Sequence, residues 1–186
     1  MDAAEALFCE DGYVRTNMER VARRADVSTA TLYRYFASKE ALFDAVANRA
    51  LSQLQLDIGA EKRDFSNLDA IARAYATFLS RPKTRSLFRM IVAECGRNND
   101  LAERFYAAFK NQLSALFVDA VEKELPEKSR HNDRDSAHIA GQLQGMIEHS
   151  TIMRGLVRGD SIGTATEAAA IASSALETWR ARWTKS

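Results

Sequence analysis

The strongest constraint on this chain lies between Thr16 and Phe36, where helix-start and helix-stop signals follow one another too closely for a sheet or for one long helix. Thr16 offers a hydroxyl cap with Glu19 three residues on, the spacing of a capping box, and Met18, Val21, Ala22 and Ala25 recur at i, i+3, i+4 and i+7. Ala25-Asp26-Val27-Ser28 then makes a tight turn. Ser28 can cap a third helix in which Leu32 and Phe36 share a face, and Ser38 can cap a fourth. Ahead of them Ala3, Leu7 and Phe8 fall on one face of a first helix that ends at Gly12. Val21, Ala22, Val27 and Leu32 are the expected shared core of two short helices crossing steeply, with Ala22 small enough for close approach.

The rest of the chain reads as helical too. Ala occurs 31 times against 8 Val and 8 Ile, so helix formers outnumber the β-branched residues that strands favour, and an all-β or alternating α/β fold is excluded. The fourth helix carries Leu42, Phe43, Val46, Ala50, Leu51 and Leu54, runs to about residue 57, and connects two parts of the molecule. Gly59 to Asp64 is the expected boundary. Beyond it lie long helices at about 67–80, 83–96, 100–124, 135–158 and 164–184, interrupted at Pro82, Gly96, Pro126 and Gly159–Gly163. The expectation is all-α with about nine helices: a DNA-binding domain over 1–50 and a helical ligand-binding and dimerisation domain over 51–186. Cys9 and Cys95 fit reduced thiols better than a disulfide. No apolar run is long enough for a membrane span and no signal peptide opens the chain, so a cytoplasmic protein is expected.

Net charge is +1, which announces no polyanionic partner. Charge is local instead: residues 15–39 hold Arg15, Arg20, Arg23, Arg24, Arg34 and Lys39 against Glu19 and Asp26, an excess of four positive charges. The third helix exposes Thr29, Ala30, Thr31, Tyr33 and Arg34, short or hydrogen-bonding groups able to enter a major groove. The stretch from Thr16 to Phe43, with Val27-Ser28, Thr31-Leu32-Tyr33, Phe36 and Ser38-Lys39-Glu40-Ala41-Leu42 in register, resembles the DNA-binding segment of TetR-family transcriptional regulators over about residues 3–50.

The resemblance implies a homodimer on a palindromic, double-stranded operator, released when a small molecule enters the C-terminal bundle. It places Thr16 and Asn17 at backbone phosphate at the start of helix two, and Tyr33, Tyr35 and Lys39 on phosphate-clamp positions. Ser28 belongs to the same surface, and Thr29, Ala30 and Thr31 are the expected readers of base edges. Two departures stand out. Asp26 takes the place of the turn glycine usual in the family, at a modest conformational cost. The chain also begins inside the first helix, without the basic leader often found there.

In the second part the last two helices present more apolar surface than one stripe. Ile139, Leu143 and Ile147 on one, and Ala168, Ala172, Ala175, Leu176, Trp179 and Trp183 on the other, form either an ordinary core or, as the resemblance favours, a four-helix dimer interface. Tyr75, Phe78, Phe88, Ile91, Phe109, Leu113 and Phe117 stand at helical spacing as core or as cavity lining for an amphipathic or aromatic inducer. Glu94 shares a face with Leu87 and needs a partner, Arg97, Arg104 or a ligand. Met146, His149 and Met153 complete the candidate pocket. No cofactor or metal is implied: His138 and His149 lie about 16 Å apart along one helix and cannot share an ion.

Two other classes remain open on sequence alone. A helical interaction module without DNA binding is one. Gly159-Asp-Ser-Ile-Gly163 fits the Gly-x-Ser-x-Gly pattern of a serine hydrolase, but a helix precedes Ser161 where the nucleophile elbow requires a strand, so no catalytic residue is expected.

Overall fold

Ser28 and Ser38 start helices as expected, whereas the expected stop at Gly12 is a kink within a first helix that continues to Arg15. The computed structural model describes residues 1–62, 67–94, 99–126, 133–158 and 164–184, and every regular element among them is helical. Ten α-helices follow in order: α1 (Asp2–Arg15), α2 (Met18–Arg24), α3 (Thr29–Tyr35), α4 (Lys39–Lys62), α5 (Leu68–Ser80), α6 (Pro82–Glu94), α7 (Asn99–Glu124), α8 (Asp133–Glu148), α9 (Arg154–Arg158) and α10 (Ala165–Trp183). The number exceeds the nine expected because the run 135–158 is not one helix. A π-helical turn, His149–Met153, separates α8 from α9, and within it the Thr151 hydroxyl donates to the Ile147 carbonyl at 2.7 Å. Likewise α4 does not stop near residue 57 but continues through Gly59 to Lys62. Pro82 starts α6 rather than merely interrupting the chain, as its missing N–H allows.

By packing, the chain divides into two compact units, Met1–Ser52 with Ser86–Phe109, and Gln53–Arg85 with Lys110–Ser186. All three boundaries between the units fall inside helices, so α4, α6 and α7 each contribute residues to both units.

The first unit is built around aromatic residues. At Gly12 the backbone takes φ 81°, ψ 172°, which breaks the helical path of α1 and turns Tyr13 inward. Phe8 and Tyr13 stack at 5.8 Å between centroids, and Phe43 of α4 meets both edge-on at 5.6 and 5.7 Å. Each such buried ring stabilises the unit by roughly 1.5–3 kcal/mol through the apolar surface it removes from water. Arg49 of α4 pairs with Asp2 and Glu5 of α1, and Arg104 of α7 with Asp44 of α4. A second aromatic cluster joins Phe88 of α6 to Phe105 and Phe109 of α7, both edge-on at 5.2 Å.

In the second unit α10 packs against α5 and α8. Asn67 caps α5 by accepting from the Asp69 and Ala70 N–H groups, and Thr164 with Glu167 forms a reciprocal capping box at the start of α10. Trp179, 1 % exposed, donates its indole N–H to the Ile139 carbonyl at 3.1 Å. Arg180 binds Asp69 at 2.5 and 3.1 Å and also Glu124, tying α10 to α5 and α7. The Arg180 guanidinium holds the Asp69 carboxyl below the usual carboxylate range.

Candidate nucleic-acid interface

Asn17, not Thr16, caps α2: its side-chain oxygen accepts from the Arg20 N–H at 2.9 Å. Thr16 is fully buried, and its hydroxyl donates to the carbonyls of Gly12 at 2.8 Å and Leu7 at 3.2 Å. The kink at Gly12 carries Thr16 beneath α1, so its hydroxyl is not presented to a phosphate. Asn17, one residue on, is exposed.

The turn that follows uses backbone conformation in place of glycine. Asp26 adopts φ 53°, the left-handed geometry expected of it, and the Val27 N–H then donates to the Ala22 carbonyl at 3.0 Å. Val27 is 41 % exposed, which corrects its expected place in the core; the turn itself carries it outward, leaving Val21, Ala22 and Leu32 as the packed set. Ser28 caps α3 by accepting from the Thr31 N–H at 3.0 Å, and its hydroxyl also meets that of Thr31 at 2.8 Å. With Leu32 pinned inside at 7 % exposure, the opposite face of α3 is open: Ala30 and Arg34 are exposed, Thr29 and Thr31 half-buried, Tyr33 46 % and Tyr35 70 % exposed.

Charge is distributed less evenly than the sequence suggests. Arg20 pairs with Asp11 at 2.6 Å and Arg24 with Glu10 at 2.5 Å, so two of the six basic groups are neutralised from α1. Arg34 leans on the Tyr35 ring at 5.3 Å without a carboxylate. Lys39 donates to the Tyr13 carbonyl at 3.1 Å and sits 4.1 Å from that ring, which leaves two of its three N–H bonds open. Glu40 beside it is held low by its own backbone N–H and by the hydroxyls of Tyr13 and Ser38, and burial pushes the Tyr13 phenol up. Tyr13 donates to Glu40 at 2.8 Å. Of the six basic groups, Arg34 at the end of α3 and Lys39 at the start of α4 therefore flank the open face without a carboxylate contact, while Arg15 and Arg23, also without one, lie on α1 and α2.

The residues expected at the dimer interface behave differently. Ile139, Leu143, Ile147, Ala168, Ala172, Ala175, Leu176 and Trp179 are all buried within their own unit, between α8, α10 and α5. Periodicity marked them as covered; the cover comes from their own chain. Beside them runs an open groove of about 890 Å³ between α8 with its π turn and α10, lined by Gln142, Gly145, Met146, His149, Ser174 and Trp183 among others, with Ala175 and Trp179 at its floor. Trp183 donates to Gln142 at 3.1 Å. Met146 and His149 thus face this groove, and Met153 is 51 % exposed.

The other expected pocket residues are divided between the units. Tyr75, Phe78, Leu113 and Phe117 are buried in the second, where Tyr75 meets Phe117 edge-on at 5.2 Å and donates to Glu148 at 2.5 Å. Phe88, Ile91, Glu94 and Phe109 belong to the first. Glu94 is buried as expected, but Arg104 pairs with Asp44 and Asp100 instead, and Arg97 lies outside the described residues. So do Ser161 and its flanking glycines.

Two family profiles match the chain: bacterial regulatory proteins of the tetR family over residues 1–46, and the C-terminal domain of AefR-like transcriptional repressors over residues 66–185. The chain belongs to the TetR family of transcriptional regulators. The TetR fold covers nearly its whole length: a TetR-family regulator of Mesorhizobium loti superposes with a TM-score of 0.79 at 24% identity over 97% of this chain and 92% of that one. The HTH-type transcriptional repressor KstR of Mycobacterium tuberculosis is 34% identical over 127 residues, 66% of this chain and 51% of KstR, so the match spans about half the length of that relative. The nucleoid occlusion factor SlmA of Haemophilus ducreyi is 43% identical over 147 residues, 76% of this chain and 71% of SlmA. As a member of this family the chain carries the family's DNA-binding domain over residues 1–46. No described helix is long and apolar enough to cross a membrane.

Signals that sequence reading missed are of two kinds. The pairing of Arg20 and Arg24 with α1 was legible in Glu10 and Asp11, an acidic pair at the end of a helix that must pack on α2. The π turn and its Tyr75–Glu148 bond had no such signal.

Proposed function

We propose that this TetR-family regulator is a repressor that binds a palindromic operator as a homodimer and is released by a small-molecule inducer. The observation that carries the operator reading is the open face of α3: small and hydroxylic at its front, with Arg34, Tyr35 and Lys39 behind and no carboxylate on the first two turns. Asn17, Tyr33, Tyr35 and Lys39 hold phosphates and set register, while Thr29, Ala30 and Thr31 read base edges, Ala30 by contact with a thymine methyl. Repression is supported by the name of the KstR relative and by the description of the matched C-terminal family.

The dimer is supported by the groove between α8 and α10, where partly exposed Met146, Ile171 and Trp183 lie among Gly145, Ser174 and Thr178, short side chains that let a second copy approach closely. Two copies joined there present two α3 helices, which reach successive major grooves when they stand about 34–36 Å apart. An inducer that prefers another separation lowers operator affinity by its differential affinity for the two arrangements.

A gel shift with DNA flanking the protein's own gene, against random DNA at low and moderate salt, tests the operator reading. Preferential retention of the flanking DNA is expected; equal retention of both rejects it. Light scattering at micromolar protein is expected to give a dimer, and a monomer rejects the groove as interface.

A further inference from the structure

Inside the second unit lies a cation that no acid of the described chain answers. Arg85 of α6 is 1 % exposed, and its Nε and Nη1 atoms have no hydrogen-bond partner. A guanidinium stays protonated at every physiological pH, so burial cannot be relieved by losing the charge as a lysine or a carboxyl would. Water on the three idle N–H bonds would leave the buried charge without a counter-charge. Glu148, the last residue of α8 ahead of the π turn, is already bound by Tyr75.

The fold makes room for this side chain specifically. A Cβ placed on Gly155 of α9 would stand 2.5 Å from Arg85 Cδ and 3.2 Å from Nη1, so only glycine at 155 lets the arginine lie where it does. Gly155 in turn sits directly behind the π turn, an irregularity that often marks a functional site in a helix. A buried unpaired charge, a glycine that accommodates it and a local break in helix geometry converge on one place.

We infer that Arg85 anchors the effector of this regulator and that the effector is a monoanion, an organic carboxylate with an apolar body. One fixed positive charge is matched by one negative charge; a phosphate dianion would carry a second, unanswered charge into the same interior. The inference deepens the inducer reading above and rests on it for the consequence at DNA, not for the binding itself.

The test is thermal unfolding of the full chain with 3-phenylpropanoate, decanoate, phenyl phosphate and the neutral 3-phenylpropanamide at millimolar concentration. Wild type, Arg85→Met and Gly155→Ala are compared. A carboxylate is expected to raise the wild-type Tm while its amide does not, and Arg85→Met is expected to weaken carboxylate binding about tenfold or more. Arg85→Met alone is expected to raise the Tm by a few degrees, because it removes an unpaired buried charge without leaving a cavity. A purely structural arginine would instead lower it. Gly155→Ala keeps the charge but displaces it, and is expected to weaken carboxylate binding too. Equal response to acid and amide, a stronger response to phenyl phosphate, no response to any probe, or a fall in Tm on Arg85→Met each overturns the inference. Carboxylate binding that leaves wild-type operator affinity unchanged upholds the site and rejects its role as the release switch.

Discussion

Replacing Lys39 by methionine separates two roles of one ammonium group. Within the fold it joins the start of α4 to the end of α1 through the Tyr13 carbonyl and ring. Toward DNA it offers its two remaining N–H bonds to a phosphate. Each phosphate neutralised adds about 0.9 to the slope of log affinity against log salt, so a dimer that loses two such contacts has a slope shallower by roughly 1.8. Between 50 and 200 mM salt that difference makes the wild type lose roughly tenfold more affinity than the variant. Methionine keeps the stem against the Tyr13 ring, which alanine would not. The lost internal bond is partly solvated and costs about 1 kcal/mol of stability, visible as a Tm lower by about 2–4 °C and separable from the salt effect. Fluorescence anisotropy on operator and random DNA across that salt range measures both. An unchanged slope, or a loss confined to the operator, refutes the phosphate role. Thr29→Ala is the complementary perturbation: it is expected to alter preference among operator variants by about 1–3 kcal/mol at the affected base pair with the slope intact.

Asp26→Ala is expected to destabilise the N-terminal unit by about 1 kcal/mol, since φ 53° penalises a side chain with no local hydrogen bond to offer. Asp26→Gly should fall within about 0.5 kcal/mol of wild type, because relief of that strain is offset by the greater freedom of glycine in the unfolded chain; thermal melts in which alanine equals wild type would count against this. Arg180 holds the Asp69 carboxyl below its ordinary range, so its contribution is present above the unfolded value near 3.9 and is lost as pH falls through the lower folded value. Arg180→Gln is therefore expected to cost about 1 kcal/mol at pH 7, discounted for the exposure of the pair, with the difference shrinking toward pH 2; a cost that persists undiminished in acid urea titrations contradicts the assignment. At Gly145 a built Cβ meets nothing within 4 Å, so Gly145→Trp should leave the protomer's fold intact while converting the dimer to monomer in light scattering; an intact dimer shows that the groove is not the interface.

The helix-turn-helix was legible because its determinants are short-range: caps, a turn and a repeat all lie within a few residues of the backbone groups they satisfy. Even there the sequence pointed to Thr16 as the cap of α2 where Asn17 serves, because the tertiary kink at Gly12 draws Thr16 inward. Faces were harder than elements. Ile139, Leu143 and Trp179 recur as buried residues must, yet periodicity reports only that a surface is covered, and the residues that are left open, Gly145, His149 and Ser174, are too small or too polar to stand out as an interface. Arg85 was missed for a related reason. An arginine on an amphipathic helix ordinarily reads as solvated, and only the fold reveals that its neighbours, with glycine at 155, enclose it.

The same arginine bears on how the proposed release could work. Arg85 is the last residue of α6 assigned to the second unit, and Phe88, one turn further along the same helix, belongs to the aromatic cluster with Phe105 and Phe109 in the first. A ligand that bound equally well to the operator-competent and the released arrangement would release nothing, however tightly it bound. Moving a dimer from mostly operator-competent to mostly released takes about 5.5 kcal/mol of differential affinity, or roughly 2.8 kcal/mol at each of two sites. One or two charge-assisted hydrogen bonds to Arg85, about 1.5–3 kcal/mol each, made in one arrangement and absent from the other, are of that size. The remainder of the effector then sets affinity and selectivity but not the direction of the switch.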